Sequence, residues 1–330
     1  MSSSLRWILA ALTALVLALG ASACGSEESG GGGGSSGGDS GEEAGGKLIE
    51  ADPANEGKKI TVGSKNFDEQ FVLGEIYAQA LTAAGFDVKK KLNLGSEQIA
   101  YRALKSGQID AYPEYTGTSL TSFFDVDIDD VPKDPDEAYE LTKTKYAEQD
   151  ITALPRTEFE NTYRVATTPE TQESKLDGAE KLSAVAELPN AGDLSVAGFP
   201  ECRQRTDCLL GLRNVYDWKP EFVSDEGKYE PIDKGRADLG FVFSTDGELT
   251  TGQYTIIEDD ENLFPPYNIS FGIRDEALER LGASGREVIL AVQEPLDEAA
   301  MQELNSRVSI DKEEPRDVAR QYLQEEGFIE

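Results

Sequence analysis

The amino-acid sequence predicts a two-lobed α/β protein with a cleft between the lobes. Two observations carry this. From Lys59 onward, short β-patterned runs alternate with helical patterns, and such alternation builds sheets covered by helices. The chain also partly repeats itself. Gly107-Gln108-Ile109-Asp110-Ala111 leads on to Tyr115, and Gly235-Arg236-Ala237-Asp238-Leu239 leads on to Phe243. In both copies a helical pattern closes on glycine, an aspartate enters a strand, and an aromatic follows eight residues after the glycine. Two lobes built this way would each offer a strand-end aromatic to the other.

The elements follow in order. Lys59-Ile60-Thr61-Val62-Gly63 reads as a short buried strand, and residues 64–69 as a turn with helix-start residues. Residues 71–84 are apolar at helical spacing and stop at Gly85. Phe86-Asp87-Val88 opens a second strand, 99–105 a helix, and 109–112 a third strand closed by Pro113. This order implies a mainly parallel sheet with ligands at the carboxyl ends of its strands. Farther on, 268–274 reads as a strand, followed by helices at 276–281, 285–292, 297–308 and 315–325, with Pro315 suited to a first turn. The first lobe is then expected to span 59–161 and 267–330, and the second 162–266, with crossings near 160–164 and 264–269. Trp218 reads as packing at a helix end, and the acidic or polar stretches 258–261 and 324–326 as solvated faces.

The chain has 330 residues and 38% hydrophobic content, enough for a sizeable core. Its formal net charge is −32 and it has no histidine. A strongly acidic chain argues against a nucleic-acid partner, since phosphate binding needs a basic surface. The missing histidine removes the usual general base and the commonest zinc ligand. Outside the low-complexity Gly/Ser-rich run, no Gly-x-Ser-x-Gly elbow occurs, and the chain has no metal-ligand cluster or Walker motif. The expectation is a non-enzyme with no catalytic residues, metal or cofactor.

Residues 1–23 read as an export signal. One charged residue, Arg6, precedes an apolar run over 7–19, too short to span a bilayer as a mature helix. Gly20-Ala21-Ser22-Ala23 before Cys24 is similar to a bacterial lipobox, with Ala21 where leucine is usual. A plain secretory signal is the alternative. Residues 24–58 then read as a lipidated Cys24 followed by a Gly/Ser/Glu-rich tether, whose glycine-rich part would hold the domain about 25 Å from its anchor. The expected location is the outer face of the cytoplasmic membrane, held by lipid. Cys202 and Cys208 remain, with five residues between them. An exported protein can keep them as a disulfide; metal binding is the poorer alternative without histidine. Their loop carries Arg203 and Arg205.

Four aromatics sit where strands or segments give way to loops: Tyr115 in Tyr-Pro-Glu-Tyr-Thr-Gly-Thr, Tyr163 in Asn-Thr-Tyr, Phe243 in Phe-Ser-Thr-Asp-Gly and Tyr267 in Phe-Pro-Pro-Tyr-Asn. If the fold gathers them, they form a box of π faces. That box suits a quaternary ammonium, which has charge but no N–H to donate. Lys65 lies just before a helix start, where free N–H groups also favour an anion. Arg205 offers a fork for a carboxylate.

These motifs, with Val62-Gly63-Ser64-Lys65-Asn66-Phe67-Asp68-Glu69-Gln70, resemble the substrate-binding proteins of ABC transporters for glycine betaine, choline, carnitine and related osmoprotectants. The resemblance spans nearly all of residues 59–328. It implies a periplasmic-binding-protein-like fold of type II with the ligand between the lobes. It implies an aromatic cage at Tyr115, Tyr163, Phe243 and Tyr267, and carboxylate contacts at Lys65, Thr118 and Arg205. It also implies a membrane permease and a separate ATPase as partners, with this chain a monomer. Glycine betaine or proline betaine is the expected ligand, because choline would leave two buried cations unpaired. Choline or carnitine specificity, and ligand sensing without transport, are the alternatives. Three departures stand out: Phe243 replaces a tyrosine, Cys208 alters the loop after Arg205, and Asp68 replaces a threonine. Asp68 would either tune or weaken anion binding beside the carboxylate site or serve as a helix N-cap pointing away from it, and the cap is the expectation.

Overall fold

Strands of only three to six residues cannot bury a hydrophobic face singly; here they pair into two sheets, each covered by helices. The structure, a computed structural model, describes residues 48–330 apart from Glu226. The readings of an export signal over 1–23, of Cys24 as a lipidated residue and of the tether up to residue 47 lie outside the described residues. The strands are Lys59–Gly63 (β1), Asp87–Lys91 (β2), Ala111–Tyr115 (β3), Ile151–Ala153 (β4), Tyr163–Thr167 (β5), Ser195–Gly198 (β6), Glu221–Ser224 (β7), Leu239–Phe243 (β8), Thr255–Ile257 (β9) and Ile269–Arg274 (β10). They form two sheets, ordered β2-β1-β3-β10-β4 and β7-β6-β8-β5-β9.

The two orders correspond strand for strand, and the sequence repeat lies at the same place in each. Asp110 enters β3 and binds back to β1: its N–H donates to Thr61 O at 2.8 Å, and its carboxylate accepts from Thr61 N at 2.7 Å. Asp238 enters β8 and does the same to β6, through Ser195 O at 3.1 Å and Ser195 N at 2.9 Å. Gly107 and Gly235 stand ahead of them at φ 73° and 62°, left-handed helix ends that favour glycine.

The expectation of a mainly parallel sheet needs correction. β1 pairs parallel with β2 and β3, but β10 is antiparallel to both β3 and β4; in the second sheet β5 is likewise antiparallel to β8 and β9. The exceptions, β5 and β10, are the strands that arrive from the other sheet, and they enter against the local direction. The third strand also runs on through Pro113 instead of stopping there. Even-numbered β3 residues face β10, as in Arg274 N to Asp110 O and Thr116 N to Asn268 O. Pro113 nitrogen therefore faces the side of β1, which meets β3 only at Val62↔Ala111. A residue without an N–H is tolerated there.

Residues 48–58, read as part of the tether, belong to the folded body. Ile49 N donates to Phe328 O at 2.9 Å, and buried Asn55 donates to Ala84 O at 3.0 Å and to Ser284 Oγ at 3.2 Å. The charges of Glu50, Asp52, Glu56 and Lys58, directly after a glycine-rich run, hid these anchors.

Each sheet has its own core. Val62, Ile76, Tyr77, Phe271 and Leu323 pack together in one, and Val165, Val196, Trp218 and Phe241 in the other. Trp218 has the packing role expected of it, with its indole N–H donating to Ala191 O at 2.9 Å. The helix Asp275–Gln293 is broken at Gly282, φ 69°, so the two helices read from the pattern are its two halves. The helix Glu298–Ser309 lies against the short helix Gly247–Thr251 of the second-sheet region. A Cβ on Gly247 would stand 2.4 Å from Ser306 Cα, so glycine permits this approach.

Candidate functional site

The strand ends decide where the aromatics meet. Tyr163 opens β5 and Phe243 closes β8, and the antiparallel register sets them directly opposite one another. Their rings stack with centroids 4.9 Å apart. Tyr115 closes β3 opposite Ile269, and Tyr267 lies two residues before β10 begins. All four rings line one cavity of about 660 Å³. Tyr267 reaches its place because Gly117 has no side chain: a Cβ there would fall 2.7 Å from the Tyr267 ring and 2.9 Å from Pro266 O. Gly117→Ala is therefore expected to displace Tyr267 and weaken ligand binding about tenfold with the fold retained, as measured by titration calorimetry and circular dichroism. Wild-type affinity in that variant would show that Tyr267 is not held by this contact.

The expected polar residues Lys65, Thr118 and Arg205 line the same cavity. Each of the two cations already has an acidic partner. Lys65, 5% exposed, forms an ion pair with Glu114, itself 1% exposed, and its ammonium stands 4.2 Å from the centroid of the Tyr115 ring. Glu114 also accepts from Tyr112 OH and from Tyr115 N, each at 2.8 Å. Arg205 forks onto Asp207, Nε to Oδ1 at 2.7 Å and Nη2 to Oδ2 at 2.5 Å. The same carboxylate accepts from Tyr267 OH at 3.1 Å. The hydrogen bond to Asp207 raises the Arg205 pKa, so this guanidinium stays charged. Burial, and then the charge of Asp207, pushes Tyr267 upward too, which keeps its hydroxyl a neutral donor.

Cys202 and Cys208 are disulfide-bonded with Cα atoms 5.2 Å apart. The closed loop between them carries both Arg205 and Asp207. The N-cap expectation for Asp68 is wrong. The helix Asp68–Ala83 is capped by Phe67 without a side-chain bond, and Asp68 is an exposed first-turn residue lining the cavity. The helix begins earlier than its apolar pattern, since its first turn is polar, and this moves the cap one residue back.

Several cavity residues had no role in the sequence reading. Phe67 extends the wall beside Tyr115, with rings 6.1 Å apart, and Phe199 does so beside Phe243, at 6.4 Å. Lys228 lies 5.0 Å from the Phe243 centroid and pairs with Asp246. Glu69 is 3% exposed and accepts from Tyr115 OH at 2.6 Å, Asn161 Nδ2 at 3.0 Å and Asn305 Nδ2 at 2.9 Å. Burial, and next the Glu69 charge, raises the Tyr115 pKa well above its ordinary value. Phe67 and Glu69 stand in the Lys65 motif, but only their three-dimensional neighbours reveal their work. No group of metal-ligating side chains is found among the described residues.

Four aromatic faces around one cavity are an arrangement that can hold a compact cation. The substrate-binding domain of ABC-type glycine betaine transport systems (OpuAC) matches residues 58–325. This chain belongs to that family. The family's glycine-betaine-binding protein from Pseudomonas aeruginosa is 31% identical over 284 residues, 82% of this chain and 89% of that protein. The glycine betaine-binding protein YehZ of Escherichia coli is 25% identical, over 84% of this chain and 93% of its own length. The solved structure of a glycine betaine/carnitine/choline ABC transporter protein shares the fold, with TM-score 0.71, 22% identity, and 81% and 98% of the two chains covered. As an OpuAC-family member the chain is a substrate-binding protein of ABC-type transport, a class that works outside the cytoplasm, and its relatives are binding proteins, not enzymes. No helix among the described residues is long and apolar enough to cross a membrane.

Proposed function

We propose that this protein captures a quaternary-ammonium osmoprotectant, glycine betaine or proline betaine first, and delivers it to a membrane permease driven by a separate ATPase. The single observation that carries the reading is the convergence of Tyr115, Tyr163, Phe243 and Tyr267 on one cavity. Their faces replace the weak hydration of a trimethylammonium head, each contributing roughly 0.5–2 kcal/mol. The ligand carboxylate would meet Arg205, whose Nη1 has no partner among the described residues, with Thr118 and the Lys65 ammonium alongside. Anchoring through Cys24 belongs to the same proposal and would keep the cleft near the permease.

A second reading, choline, gains from one observation. The argument against it assumed that Lys65 and Arg205 would stay unpaired beside a neutral hydroxyl. Glu114 and Asp207 already pair them, so choline strands neither. Calorimetric titration with glycine betaine, proline betaine, carnitine and choline separates the readings. A betaine is expected to bind, and Arg205→Ala to weaken it at least tenfold more than choline. Equal effects on both would remove Arg205 from the carboxylate contact, and no saturable binding of any of the four would defeat the proposal.

A further inference from the structure

The cations around the cavity are each matched by an acid, and of the lining acids left without an ion pair among the described residues (Asp68, Glu69, Glu97 and Glu248) only Glu69 is buried. Lys65 is matched by Glu114, Arg205 by Asp207, and Lys228 by Asp246. Glu69 is thus the one buried, unpaired acid of the lining among the described residues. Its donors are neutral: the Tyr115 hydroxyl and the amides of Asn161 and Asn305. Hydrogen bonds from neutral donors occupy a carboxylate's lone pairs but bring no opposite charge to it. A buried anion without a counter-ion is costly, so the site is built for a cation to arrive.

We propose that Glu69 is the counter-charge for the ligand's ammonium and thereby stabilises a ligand of net positive charge more than it stabilises a zwitterion. This rests on the quaternary-ammonium reading above. Two routes connect Glu69 to the ligand. One is direct Coulomb attraction in a poorly screened cavity. The other runs through Tyr115. A phenol that donates to a carboxylate gains electron density in its ring, and the negative face that meets the cation deepens. A zwitterion gains less, because its own carboxylate is repelled by the charge that attracts its ammonium. Choline, with no carboxylate, gets the whole benefit. Asn305 also binds Glu69 and Thr245 O at once, and its Oδ1 is buried without a partner.

The test is calorimetric titration of the full protein and of Glu69→Gln and Glu69→Asp with choline and with glycine betaine, folding being followed by thermal melting. Glu69→Gln is expected to weaken choline at least tenfold and glycine betaine at least threefold less than that. Glu69→Asp keeps the charge and is expected to leave the choline-to-betaine ratio within threefold of wild type, whatever the loss in absolute affinity. Equal loss of both ligands in Glu69→Gln overturns the proposal. So does a shifted ratio in Glu69→Asp, which serves alone if the glutamine variant fails to fold. Binding of glycine betaine without choline by the wild-type protein overturns the counter-charge role and leaves the quaternary-ammonium reading standing. Binding of neither defeats both.

Discussion

Tyr163→Ala is expected to lower glycine betaine affinity by two orders of magnitude or more in calorimetric titration. Tyr163 sits at the centre of the aromatic wall. Its ring stacks on Phe243 and lies within 6.2 Å of Phe264, and the Arg205 guanidinium stands 5.9 Å from its centroid. Truncation removes a cation–π face worth up to about 2 kcal/mol in a desolvated site. It also removes apolar surface that the ligand's methyl groups would cover, worth roughly 1 kcal/mol more. Together these reach roughly 3 kcal/mol, or about a hundredfold. Tyr163→Phe keeps the face and is expected to retain most of the affinity. A Tyr163→Ala protein that binds like wild type would take this ring out of the binding wall.

The second large effect falls on stability. Glu114→Ala leaves the Lys65 ammonium buried without its partner, and it orphans Tyr112 OH and Tyr115 N as well. Breaking one side of a buried ion pair costs about 3–5 kcal/mol, and urea denaturation should show a loss of that size. The double variant Lys65→Met/Glu114→Leu removes both charges and is expected to recover part of the loss, since a buried pair can often be replaced by apolar groups. A loss below about 1 kcal/mol in Glu114→Ala would mean that water reaches Lys65 and that the pair is worth no more than a surface one.

Much of the fold could be read from period and punctuation. The strand Lys59–Gly63 and the helix Pro315–Glu325 are where hydrophobic spacing and Pro315 set them. The repeat around Asp110 and Asp238 marks equivalent strands in the two sheets. What stayed hidden has a common cause: pairings between distant residues. Strand direction depends on which sheet a strand arrives from, so β5 and β10 could not be oriented from local pattern. Asn55 looks like a linker residue until Ala84 and Ser284 close over it. At the site, Tyr115, Tyr163, Phe243, Tyr267, Lys65, Thr118 and Arg205 were legible as residue types in motifs, and they border one cavity. Their electrostatics were not. Glu114 is adjacent to Tyr115 in sequence and Asp207 lies two residues from Arg205, yet which acid neutralises which base follows only from side-chain direction.

Between β4 and β5, and again between β9 and β10, the chain passes from one sheet to the other, and the two passages touch. Asn161 N donates to Tyr267 O at 3.1 Å, and Glu160 pairs with Asn268 in an antiparallel bridge. Two bonded strands behave as a ribbon, not as two independent strings. A ribbon bends readily across its face and resists shearing in its plane. The two halves of the molecule are thereby held to something close to a single rotational coordinate, like the covers of a book on its spine. Tyr163 and Tyr267 stand within a few residues of that spine, where a rotation about it would displace atoms least.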